Sequence, residues 1–131
     1  MSLFRSLQSQ PRIISIFTNN IAGNSSAKLI YDKLRQNEET KAVVHMELHE
    51  KFPTLDQLKY MNDMNPKLLK DEIPNINELL KKPSHDKLFG SNLSQCTEMG
   101  NWKSNTTIWV DWEKQKIGID VKSLEDDLGK N

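Results

Sequence analysis

The chain has a single cysteine, Cys96, in 131 residues. An internal disulfide is therefore excluded, and so is a self-contained zinc–thiolate site. Neither charge is in excess, because 18 Lys and Arg balance 18 Asp and Glu. A general polyanion binder would show a basic surplus, so no nucleic-acid partner is expected. No apolar run approaches the roughly 18 residues that span a bilayer, so no membrane insertion is expected either. A Walker loop and a G-x-G-x-x-G turn are also absent. What remains, 36% hydrophobic and 27% charged, is the make-up of one ordinary globular domain. A chain of this size hides about two-thirds of its unfolded surface and can build a real core.

Acids are missing locally as well. Before Asp32 the only charged side chains are Arg5, Arg12 and Lys28. Ser2, Ser6 and Ser9 are interspersed, and Leu3, Phe4 and Leu7 share a face if residues 2–9 are helical. An Arg-bearing, Ser-rich, acid-poor, amphipathic start is the composition of a mitochondrial targeting segment, here residues 1–10, ahead of one domain over 11–131. A secretory signal is disfavoured, since no long apolar run follows the basic start. Without such a signal the three glycosylation sequons at Asn24, Asn92 and Asn105 read as chance matches.

Ile13 to Phe17 is a compact β-branched run and reads as a buried strand. Asn24 or Ser25 can cap the following helix, in which Ala27, Ile30, Tyr31 and Leu34 share a face; it should end near Asn37. Ala42 to Leu48 is a second strand, so the first third makes a parallel βαβ unit. Thr54 to Gln57 has capping-box spacing and opens a helix that Asn65-Pro66 stops near Met64. Short apolar helical patches follow at Leu68-Leu69 and at Ile76, Leu79 and Leu80. From Pro83 to Asn105 periodicity fades, and a long loop is expected, of the kind that is functional or disordered. Thr106 to Trp112 and Lys116 to Val121 flank a three-residue turn and form an antiparallel hairpin. A brief helix begins at Ser123, with box-like spacing to Asp126.

A βαβ half, a helical region and a hairpin followed by a helix is the order of the thioredoxin-like fold, with a mixed four-stranded sheet flanked by helices, although several α+β folds share these parts. The Arg12-Ile13-Ile14-Ser15-Ile16-Phe17 start, the lone Cys96, and Thr107-Ile108-Trp109-Val110-Asp111-Trp112 ahead of the Ile117–Val121 strand carry a further likeness. Over essentially its whole length the chain resembles a small fungal family of mitochondrial proteins described as candidate redox proteins with a thioredoxin-like fold and one cysteine. The resemblance implies that fold, a mitochondrial address and a redox-active Cys96. It also has clear departures. Thioredoxins carry Cys-x-x-Cys after the first core strand, whereas Thr18 to Ser25 holds no cysteine. They carry a cis-proline before the third strand, whereas no proline follows Pro83. Dithiol exchange of the thioredoxin type is therefore excluded, and fold alone is a weak guide to activity.

If the fold is as implied, Cys96 can reach the N-terminus of the first helix, whose partial positive charge favours a thiolate. Lys103 and His85 would help, and Glu98 would oppose. The functional expectation is a low-pKa thiolate in a polar loop, with Cys96 as the catalytic residue. The bland alternative is a packed cysteine, since free cysteines are among the most buried residues. One thiol cannot resolve its own mixed disulfide, so the return step needs glutathione as co-substrate or a thiol-containing protein partner. The competing class is a non-enzymatic thioredoxin-like interaction module with a structural cysteine. No resident cofactor or metal is expected, and the chain is expected to act as a monomer. His45, Glu47 and His49 alternate along one strand face, yet three residues in line converge poorly on one ion, so a solvated polar face is the simpler reading. A cysteine–histidine pair of Cys96 with His85 or His49 stays open. Trp109 and Trp112 differ by three, so one should be core and the other free to meet a ligand or a covering helix.

Overall fold

The computed structural model describes residues 12–19, 23–40, 44–103 and 106–129. The expected targeting segment, residues 1–10, lies outside the described residues. The strands are β1 (Arg12–Thr18), β2 (Val44–His49), β3 (Thr107–Asp111) and β4 (Lys116–Gly118). Six helices accompany them among the described residues: α1 (Ser25–Thr40), α2 (Leu55–Met64), α3 (Pro66–Glu72), α4 (Ile76–Leu79), α5 (Leu93–Glu98) and α6 (Val121–Gly129). The sheet runs β2-β1-β3-β4. β1 is parallel to β2 and antiparallel to β3, and β3 is antiparallel to β4. This is the mixed four-stranded sheet that the element order predicts.

Local chemistry explains the helix starts. Asn24 accepts the Ala27 N–H at 3.0 Å through its side chain, which caps α1. At α2 the box closes both ways: Thr54 Oγ1 accepts from Gln57 N at 3.1 Å, and Gln57 Oε1 accepts from Thr54 N at 2.9 Å. Asn65 ends α2 and caps α3, its Oδ1 accepting from Leu68 N at 3.1 Å, with Pro66 as the first helical residue.

Alternation along the strands divides the interior in two. Ile14, Ile16, Val44 and Trp109 face Ile30 and Leu34 of α1 and Leu124 and Leu128 of α6. Phe17, Ile108 and Val110 face the opposite way, toward α2, α3, α4 and α5, with Phe52, Leu88 and Trp102 between them. β3 is buried along its whole length because both faces are covered.

Four expectations change. The second hairpin strand stops at Gly118 rather than Val121, and α6 begins at Val121 rather than Ser123. The cause is Asp120: its Oδ1 accepts from Ser123 N at 2.8 Å, and its carbonyl accepts from Trp109 Nε1 at 3.0 Å. Those bonds turn the chain out of the ladder and cap the helix. α1 runs to Thr40, past the expected end at Asn37. The stretch from Pro83 is also not a structureless loop. Ser91 O accepts from Phe52 N at 2.7 Å, Phe52 O from Gly90 N at 3.0 Å, and Glu50 O from Leu93 N at 3.0 Å. These bonds stitch it to the segment after β2, and Leu88, Leu93, Cys96 and Trp102 anchor it in the core.

Candidate functional site

Cys96 lies on α5, a six-residue helix capped by Asn92, whose Oδ1 accepts from Ser94 N at 2.8 Å. The helix turns Leu93 and Cys96, three residues apart, inward onto one face. Cys96 is 1% exposed and belongs to the core that holds Phe52, Leu93 and Trp102. That core covers the sheet face opposite α1, whose Ile30 and Leu34 lie in the other core. The polar residues around Cys96 suggested a loop beside the α1 N-terminus. Instead Ser94, Gln95 and Glu98 take the outer side of a short helix and leave the thiol inside.

Its polar contact is Ser91, with Oγ at 3.2 Å from Sγ. Ser91 Oγ also lies 2.6 Å from the Leu88 carbonyl, which can only accept. A hydroxyl has one proton, so Ser91 gives it to Leu88 and accepts from the thiol. Burial pushes the Cys96 thiol above its ordinary range, with the Ser91 hydroxyl as the main opposing influence. Ser91 can support a thiolate only when its proton leaves Leu88. The resting fold thus holds a protonated thiol in place of the expected acidic thiolate. His85, Glu98 and Lys103 are exposed. The cysteine–histidine pair is not formed: His49 stacks on Phe17 with ring centroids 4.8 Å apart and lies 3.3 Å from Glu47. His45 lies 3.1 Å from Glu38, so the strand histidines turn to separate carboxylates.

Ser91 also lines an open groove of about 300 Å3, together with Lys82, Lys87, Gln95, Met99 and Asn101. Sequence reasoning did not find this groove. Its residues come from the turns between Lys82 and Ser91, from α5 and from the turn after it, and no one local pattern joins them. Met99, 72% exposed, and Leu88 are its apolar contributions. Lys82 is held 3.7 Å from Asp86, so one of the two ammonium groups in the wall already has a partner.

These features describe a mixed α/β protein with one buried thiol, whose polar partner Ser91 also lines a groove. Residues 4–120 match the model of a family described as "Protein of unknown function (DUF1687)", and the chain belongs to that family. It is 42% identical over 131 residues to a Candida glabrata protein named "Putative redox protein FMP46, mitochondrial", covering 100% of both chains. A Kluyveromyces lactis protein of the same name is 40% identical over 126 residues, with 96% of this chain and 95% of that one covered. The solution NMR structure of protein YKR049C from Saccharomyces cerevisiae shares 34% identity over 95% of each chain, with a TM-score of 0.52. Four curated relatives carry the word mitochondrial in their names, and this chain shares that address. Among the described residues no helix is long and apolar enough to cross a membrane.

Proposed function

We propose that the protein is a mitochondrial thiol redox protein of thioredoxin-like architecture in which Cys96 is the reacting group, working as a monomer with glutathione or a partner thiol. The strand order and the relatives' names support the class. The observation that carries the reading is the 3.2 Å contact between Cys96 Sγ and Ser91 Oγ, with Ser91 on the groove wall. A small movement of the turn at Ser91 opens the thiol to the groove. Deprotonated there, Cys96 attacks the glutathione sulfur of a mixed disulfide between glutathione and a partner protein's thiol. The Cys96–glutathione bond forms as the mixed disulfide breaks, and the partner's thiolate leaves reduced. A glutathione thiolate then attacks the glutathione sulfur bound to Cys96, releasing glutathione disulfide as the oxidised product and returning the Cys96 thiolate. The groove's Lys87, beside the Lys82–Asp86 pair, suits a carboxylate of a glutathione-like peptide.

The second reading is a non-enzymatic interaction module with a packed cysteine. The 1% exposure and the upward push of burial favour it. Iodoacetamide alkylation across pH, on folded and denatured protein, separates the two. For the redox reading, the folded chain reacts at a rate far above that allowed by global unfolding, and Ser91→Ala changes that rate. If only the denatured chain reacts, Cys96 is structural and the redox reading falls.

A further inference from the structure

A second groove lies away from the thiol, where the C-terminal half of α2 meets the turn after β3. It measures about 370 Å3 and is lined by Tyr60, Asp63, Met64, Trp112 and Gln115. It continues along α2 to Asp56 and Lys59, with Tyr60 and Asp63 shared. Four observations bear on what it would hold. Tyr60 is 62% exposed, a large ring left uncovered. Trp112 is fixed, its Nε1 donating to the buried Ser15 Oγ at 2.8 Å, so its ring is a rigid wall. Asp63 sits in the last turn of a ten-residue helix that has no basic residue in that turn. A carboxylate at that end of a helix opposes the partial negative charge of the free carbonyls, and a cation relieves it. Among the described residues neither Asp56 nor Asp63 makes an ion pair.

Two carboxylates outweigh the one ammonium of Lys59, and aromatic faces attract positive charge. We propose that this groove binds an arginine side chain on an aliphatic segment of a partner protein. The planar guanidinium suits this site better than an ammonium, because it stacks on a ring while pairing with a carboxylate. The neighbouring aliphatic side chains meet Met64 and the ring edges. This site is independent of the Cys96 reading, and either can fail without the other.

The test titrates the full-length protein with the blocked peptide Leu-Arg-Leu and with its citrulline twin, which keeps the shape and loses the charge. The readout is the NMR shift of the Trp112 indole N–H. Saturable shifts with the arginine peptide are expected, about tenfold weaker with citrulline. Asp63→Asn and Tyr60→Ala should each weaken binding about threefold or more, with signals elsewhere unchanged. Equal binding of the two peptides, or no saturable shift, overturns the proposal. Trp112 signals that move on dilution without peptide would assign the groove to a second copy of the chain. Contacts from residues 1–11 that exclude the peptide would assign it to the chain's own leading segment. Either result also overturns it.

Discussion

Ile14, Ile16 and Trp109 on one face of the sheet meet two regular helices, whereas Phe17, Ile108 and Val110 on the other meet one regular helix, α2, three shorter ones and a run of turns. Both interiors are built of buried apolar side chains. They differ in how the chain closes them. α1 and α6 present apolar residues at helical spacing, so each turn adds to one continuous stripe. On the other side Leu88, Leu93, Cys96 and Trp102 are single anchors in chain that has no period. The thiol and the groove at Ser91 belong to this aperiodic stretch, and the Tyr60–Trp112 groove lies where α2 meets the hairpin turn. Short elements joined by turns open locally at lower free energy than long packed helices, and surfaces that bind are drawn from such regions. The periodic side is scaffold, and the aperiodic side is where chemistry can be housed.

The largest expected effect tests whether the two sides are separable. Trp102 is fully buried, and its Nε1 donates to the Thr106 carbonyl at 3.3 Å. Trp102→Ala should cost about 3–5 kcal/mol. Amide exchange should then show protection lost first over residues 80–103, with α1 following only at global unfolding. Equal loss on both sides would make the molecule one cooperative unit and end the distinction. Next comes Gly118→Ala on the periodic side. A Cβ there would lie 2.6 Å from Trp109 Cζ2 and 2.5 Å from Ser123 Oγ. The indole is held by Asp120 O and Ser123 and cannot step aside. The expected cost is about 2 kcal/mol by urea denaturation; a neutral result would show that this face repacks more freely than its regularity suggests.

Asp120→Ala, which removes the cap of α6, should cost about 1 kcal/mol in the same assay. Ser123, through its hydroxyl first and its N–H second, holds the Asp120 carboxyl below the ordinary carboxylate range. Its folded value is depressed, so its contribution is present above the unfolded value near 3.9 and is lost as pH falls through the folded value. The smallest effect falls on Cys96. Burial raises its folded value, so its contribution is full below the free-thiol value of about 8.5 and is lost as pH rises through the raised one. Urea midpoints from pH 7 to 10 should therefore fall more in the native chain than in Cys96→Ala. Parallel curves would mean that the thiol is already open to water.

The same division decided what could be read from sequence. β1, α1, β2, α2 and the hairpin announce themselves by period and caps and appear in the expected order, with α1 running on to Thr40 and β4 stopping at Gly118. Cys96 did not, because its neighbours Ser94, Gln95, Thr97 and Glu98 look like loop. Only a three-residue step from Leu93 to Cys96 marks the inward face of α5, and a six-residue helix is too short for that step to stand out. The grooves were invisible for a related reason. Ser91 and Asn101, or Tyr60 and Trp112, share a groove only through the tertiary fold, which no local spacing encodes.

The three tryptophans have a consequence of their own. Trp102 lies within the aperiodic interior, Trp109 lies against Gly118 on the periodic side, and Trp112 stands at the rim of a groove. Retained one at a time, with phenylalanine at the other two positions, they become three separate optical probes. The emission of each would redden as its own surroundings take on water. The order of those colour changes along a urea ramp would time the opening of either interior against the other, without any external label.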